Sequence, residues 1–180
     1  MIRHAWLGLA LVASPAAAQP GVCAAPTVTT AAPLAAPDGP SRALPITHYT
    51  LALTWAPDVC RRHPAHDLEC QGARARFGFV LHGLWPDSDN GTWPQWCPAP
   101  SPATTQVPAY VVNHMLCTTP SVSLIAHEWG KHGTCMAASP QAYFAQSSRM
   151  FHALHMPDMA ALARRSDLTA GVVHNMWFTT

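Results

Sequence analysis

The chain's only lysine, Lys131, stands in the run His127-Glu128-Trp129-Gly130-Lys131-His132-Gly133-Thr134-Cys135, beside one of its two glutamates and two of its histidines. In a chain with only 11% charged residues, acid, base and fixed cation packed so closely point to proton transfer beside an anion. A second segment, Phe79 to Pro86, delivers His82 at the end of an alternating apolar run. Histidines, a carboxylate and an ammonium, with no serine in a G-x-S-x-G context, suit acid–base catalysis of phosphoryl transfer. One imidazole takes a proton from an attacking hydroxyl, the other gives one to the leaving oxygen, and the lysine meets charge on the non-bridging oxygens. If the substrate supplies the hydroxyl, no metal is required. RNA carries such a group at its 2′ position and DNA lacks it.

Rival readings of the same residues are weaker. A zinc protease needs two histidines four apart on a helix, whereas His127 and His132 are five apart, roughly 140° round the axis, with a lysine between them. A solvated salt-bridge cluster explains His127, Glu128 and Lys131 but leaves His82 unexplained. The cysteines offer no C-x-x-C pair and no finger-like spacing with histidine. No metal and no cofactor are therefore expected.

These side chains must be carried by definite elements. Thr47 to Trp55 alternates with period two and predicts a strand that Pro57 ends. Phe77, Phe79 and Leu81 alternate likewise, predicting a strand that stops near His82, with Gly83-Leu84-Trp85-Pro86 turning the chain out of the sheet. Thr92 to Pro108 reads as an exposed, aromatic loop. A helix is expected from a cap at Ser121 or Ser123 to a stop at Gly133, bringing His127, Glu128, Lys131 and His132 onto one broad face. Ser139-Pro140 opens another, with a stripe of Tyr143, Ser147, Met150, Phe151 and Leu154. Asp158 to Arg165 suggests a third. The fold class is α+β: a mainly antiparallel sheet with helices packed against it and no internal repeat.

With 49% hydrophobic residues, the chain can bury one ordinary core. Residues 1–18 read as a secretory signal peptide, a basic tip before an apolar stretch too short to span a bilayer. Residues 19–45, rich in Ala, Pro and Thr, read as an extended or disordered lead-in of no evident function. Six cysteines follow the cleavage point, an even count that implies disulfides in an oxidising compartment, with about fifteen possible pairings. A local Cys60–Cys70 bridge is the preferred one. The expected location is secreted or periplasmic, with no membrane attachment after cleavage and no required protein partner. The net charge of +1 excludes nucleic-acid binding by bulk electrostatics, so any polyanion is held locally. Histidines charging below neutrality predict activity favoured by acidic pH.

The segments Phe79-Val80-Leu81-His82-Gly83-Leu84-Trp85-Pro86 and Leu124 to Cys135 resemble the two active-site segments of the ribonuclease T2 family. These are secreted acid endoribonucleases with little base preference, and the similarity runs from about Thr47 to the helix near Tyr143. The resemblance implies that His82 and His132 are the acid–base pair, in either order, that His127 binds phosphate, and that Glu128 and Lys131 stabilise pentacoordinate phosphorus. It has Trp85 stack on a base, Asp87 hydrogen-bond to that base and Trp93 cover its other face. Trp85 has a plain alternative as a core residue, and Trp129 reads as packing. The implied substrate is single-stranded RNA, cut to a 2′,3′-cyclic phosphate and then hydrolysed to a 3′-phosphate. The resemblance also implies a Cys97–Cys135 bridge, which leaves Cys23 with Cys117. Family members continue further past the third helix, so the ribonuclease domain, 46–180, is expected to be C-terminally incomplete. The rival class is a relative that binds RNA or nucleotides without turnover.

Overall fold

Alternation along His48–Trp55 and Phe79–Asp87 builds two long strands, β2 and β3, paired antiparallel from His48 opposite Asp87 to Trp55 opposite Phe79. The computed structural model describes residues 23–64, 68–72, 76–89 and 91–176. The expected signal peptide, residues 1–18, therefore lies outside the described residues. The register slips once: Ala52 faces Gly83 and Leu53 faces Leu81, leaving His82 as the extra residue of a β-bulge. This corrects the expected turn at Gly83. The strand does not leave the sheet there, because the bulge absorbs one residue and β2 goes on supplying partners as far as His48. The slip also changes which face each side chain takes, so that Leu81 and Leu84, three apart, are both buried.

Helix α1 (Ala56–Arg62) begins where β2 ends, because Pro57 sits in its first turn, where a missing N–H costs nothing. Helix α3 (Val122–Lys131) starts at Ser121, whose hydroxyl accepts the Leu124 N–H at 3.2 Å, and is followed by a 3₁₀ turn over Gly133–Cys135. Helix α2 (Ala109–Met115) was not expected from the sequence. It buries Val111, Val112 and Met115 between α3 and helix α4 (Pro140–His152). On α4 the inward residues are Tyr143, Phe144, Ser147 and Ser148, while Met150 and Leu154 are 39% and 38% exposed. The expected stripe thus fails at its end, Leu154 lying beyond the last helical turn. Helices α5 (Met159–Ala163), capped by Asp158, and α6 (Ala170–Met176) complete the described chain. The core lies where Leu81 and Leu84 of β3 meet Ile125 and Trp129 of α3 and Tyr143 of α4.

The lead-in is extended, as its prolines require, but it is packed. Strand β1 (Ala32–Pro33) pairs antiparallel with β4 (Gln106–Val107), and Val28 exchanges two hydrogen bonds with the Asn113 amide at 2.7 and 2.8 Å. Among the described residues the strands form two two-stranded antiparallel sheets. Disulfides join Cys23–Cys117, Cys60–Cys70 and Cys97–Cys135, the pairings expected above. The 92–108 loop is only partly exposed: Trp93 faces solvent, whereas Trp96 is buried. No helix of the described residues is long and apolar enough to cross a membrane.

Candidate active site

The bulge aims His82 at α3. Its Nδ1 is hydrogen-bonded to the Thr54 hydroxyl at 3.1 Å and its Nε2 lies 3.4 Å from Glu128 Oε1. Glu128, 1% exposed, accepts the Trp85 indole N–H on Oε2 at 2.9 Å. Gly83 makes room for this: a Cβ there would fall 1.8 Å from Glu128 Oε2. Burial pushes the Glu128 carboxyl up to about 8, against the opposing pull of Trp85 and Lys131. Burial, with the nearby His127, pushes His82 down. Both shifts favour a neutral carboxyl beside a neutral imidazole at neutral pH.

His132 closes α3 and is 6% exposed. Its ring stacks on Trp85 at 5.5 Å between centroids, while His82 meets the edge of the same indole at 5.6 Å. Burial above all, then Lys131, His127 and His82, pushes His132 down to about 3, with Asp87 opposing. Its Nδ1 is buried and has no hydrogen-bond partner among the described residues. Leaving such a group unpaired costs about 1–3 kcal/mol, a cost structures tend to carry where chemistry needs the atom. Trp85, assigned to a base by resemblance, is thus half-buried and in contact with both imidazoles.

On the other side of α3 the site is ionic. Lys131 Nζ lies 2.8 Å from Asp38 Oδ2, and Asp38 Oδ1 accepts the Trp96 indole N–H at 2.9 Å. These two bonds, Lys131 first, hold the Asp38 carboxyl below its usual range. His127 meets the Trp96 ring edge-on at 5.3 Å. Its imidazole is pushed down by burial and then by Lys131, with Asp38 opposing. Trp96 adopts φ +51°, a left-handed conformation that costs a non-glycine residue about 1–3 kcal/mol unless its surroundings hold it. A cavity of about 690 Å³ opens beside His82 and His127 and is also lined by Thr54, Ser121 and Leu124. His132 is not in its wall. Asp87 accepts the Thr50 hydroxyl at 2.7 Å, and Trp93 carries the Arg42 guanidinium 5.1 Å above its ring.

The sequence model of the ribonuclease T2 family matches residues 46–169. The chain belongs to this family. It is 34% identical over 133 residues to a probable ribonuclease of Haemophilus influenzae, covering 67% of this chain and 47% of that protein. It is 39% identical over 94 residues to a ribonuclease of Aeromonas hydrophila, covering 51% and 39%. Among solved structures, an RNase-related protein from Calystegia sepium is 28% identical over 59% of each chain, with a TM-score of 0.48. The chain spans less than half the length of these curated relatives, 47% and 39%.

Within this T2 family member, sequence reasoning missed several residues of the site. Thr54 was one more alternating strand residue. In the sequence Tyr143 is one residue of a helical apolar stripe, yet its hydroxyl donates to Leu84 O at 3.1 Å and accepts Leu84 N–H at 3.2 Å, pinning β3 between His82 and Trp85. Asp38 precedes the family match. Its one signal is that it is the sole acid between residues 19 and 45.

Proposed function

We propose that this protein is an exported, metal-independent endoribonuclease that cuts single-stranded RNA with little base specificity. The observation that carries the reading is the meeting of His82 and His132, far apart in sequence, on one indole, His132 stacked on it and His82 perpendicular to it. Glu128 and Lys131 stand beside them. Membership of the ribonuclease T2 family supports it. In the first step one imidazole takes the 2′-hydroxyl proton as that oxygen bonds to phosphorus. The other protonates the departing 5′ oxygen as its P–O bond breaks, giving a 2′,3′-cyclic phosphate. Water then opens the cycle to a 3′-phosphate with the roles exchanged. Lys131 and Glu128 face the charge on the non-bridging oxygens, and His127 binds phosphate. Trp85, Asp87 and Trp93 form the base side of the site, where stacking tolerates any base.

The acid role needs a protonated imidazole, and both His82 and His132 are pushed below their ordinary value of 6.5. Cleavage should therefore peak at acidic pH. Three disulfides fit an oxidising compartment, secreted or periplasmic. The test is incubation of the mature protein with RNA and EDTA near pH 5, with analysis of the new ends. Cyclic phosphates on RNA and intact DNA are expected. Loss of activity in EDTA, or cleavage of DNA, would overturn the mechanism. A folded sample that binds RNA without cutting it would establish the non-catalytic reading instead.

A further inference from the structure

The segment Asp38–Arg42 is tied to the loop Trp93–Cys97 by reciprocal backbone bonds between Arg42 and Gln95 at 2.8 and 2.9 Å. It is tied again by the Gln95 amide donating to Pro40 O at 2.9 Å. That loop is tied in turn to the end of α3, where Trp96 N–H donates to Lys131 O at 2.8 Å and Cys97 is bridged to Cys135. Trp96, held in its left-handed conformation, wedges its ring against Gly130, where a Cβ would lie 3.0 Å away. All these ties converge on one carboxylate. Asp38 takes the Lys131 ammonium on one oxygen and the Trp96 indole on the other.

An exposed ion pair is ordinarily of little consequence, and Asp38 is 51% exposed, but its partner is only 20% exposed. Lysine is a point charge on a flexible stem, so its position must be set by a partner. We propose that Asp38 is a positioning residue that fixes Lys131 for the transition state and, by its own charge, weakens the resting grip on a polyanion. The proposal rests on the ribonuclease reading of the same site. It also makes the lead-in, which precedes the family match at residue 46, part of the catalytic apparatus.

Asp38→Asn tests it, because the amide keeps an oxygen for Trp96 and puts an uncharged NH2, which cannot accept from the Lys131 ammonium, in place of Oδ2. On single-stranded RNA, kcat should fall about tenfold, less than the hundredfold or more lost with a whole transition-state donor. Affinity for a 2′-deoxy oligonucleotide of the same sequence, which cannot be cleaved, should tighten several-fold at low salt. Asp38→Glu should restore part of kcat, and the thermal midpoint should hardly move. Unchanged kcat and affinity would overturn the proposal. So would a joint loss of kcat, affinity and thermal midpoint, which marks a merely structural role. If the wild type cuts no RNA, the ribonuclease reading fails by that result alone, and the oligonucleotide decides for Asp38. Tightening in Asp38→Asn that vanishes in the double variant with Lys131→Met supports it, and equal affinities sink it.

Discussion

The two sides of α3 handle charge in opposite ways. Toward β3, Glu128, His82, Trp85 and His132 form a largely buried group in which carboxyl and imidazoles are held neutral. Toward the lead-in, Lys131 and Asp38 form an ion pair nearer to solvent, with the Asp38 carboxyl held firmly ionised. Burial penalises the charged form of any group, whereas an opposite charge favours it. One helix therefore presents proton carriers with displaced affinities on one side and a permanent cation on the other. The phosphoryl transfer proposed above would use both.

The largest effects should come from the neutral side. His82→Ala or His132→Ala should each lower cleavage by a factor of about 10²–10⁴, with an unchanged far-ultraviolet spectrum. Substantial activity in either variant would refute their pairing, which single-turnover assays can read. Next, Gly83→Ala would drive a methyl group into Glu128. Overpacking of this kind costs about 1–3 kcal/mol, and activity should fall beyond what the stability loss explains. Urea titration and kcat together measure this. Tyr143→Phe would strip the partner from a buried N–H and a buried C=O of Leu84. About 1–3 kcal/mol of stability per orphaned group should be lost, visible as a lower urea midpoint.

Stability should also follow pH in a way that separates the two sides. Glu128, raised from 4.5 to about 8, is protonated when folded and ionised when unfolded across that window. Stability therefore falls as pH rises through it. His132, lowered from 6.5 to about 3, is neutral when folded and protonated when unfolded, so stability falls as pH drops below 6.5. The two slopes cancel between 4.5 and 6.5, and the lowered His82 and His127 move the maximum to the upper end of that plateau. Denaturant midpoints from pH 4 to 9 check this, and Glu128→Gln should remove the alkaline decline. The smallest effect belongs to two exposed ion pairs on α1. Asp58→Asn, which breaks exposed ion pairs with Arg61 and Arg62, should leave the midpoint unmoved. A shift there as large as that of the Glu128 variant would dissolve the contrast between buried and exposed charge.

Much of the site was legible because its residues sit on regular local structure. The helix that carries His127, Glu128, Lys131 and His132 begins at Ser121 and breaks at Gly133, as its caps predict. The strand through His82 follows from alternation. What could not be read is where that strand ends, since Gly83 and Pro86 are turn formers by local propensity and only pairing with β2 overrides them. Helix α2 has no distinctive cap and owes its place to burial. The lead-in has no periodicity to read, because its prolines break up any helical or alternating pattern, and the partners of its short strand, Gln106 and Val107, lie far along the chain.

Composition and local pattern alone therefore determined the residue types on offer, the even set of cysteines and the helix that presents most of the polar groups, because these depend on residue type and short spacing. Tertiary structure alone decided that His82 occupies a bulge, that a glycine leaves space for the Glu128 carboxyl, and that Asp38 reaches Lys131. Those outcomes depend on register, on burial and on contacts between distant segments. No window along the chain encodes them, because each is settled only when the whole core packs.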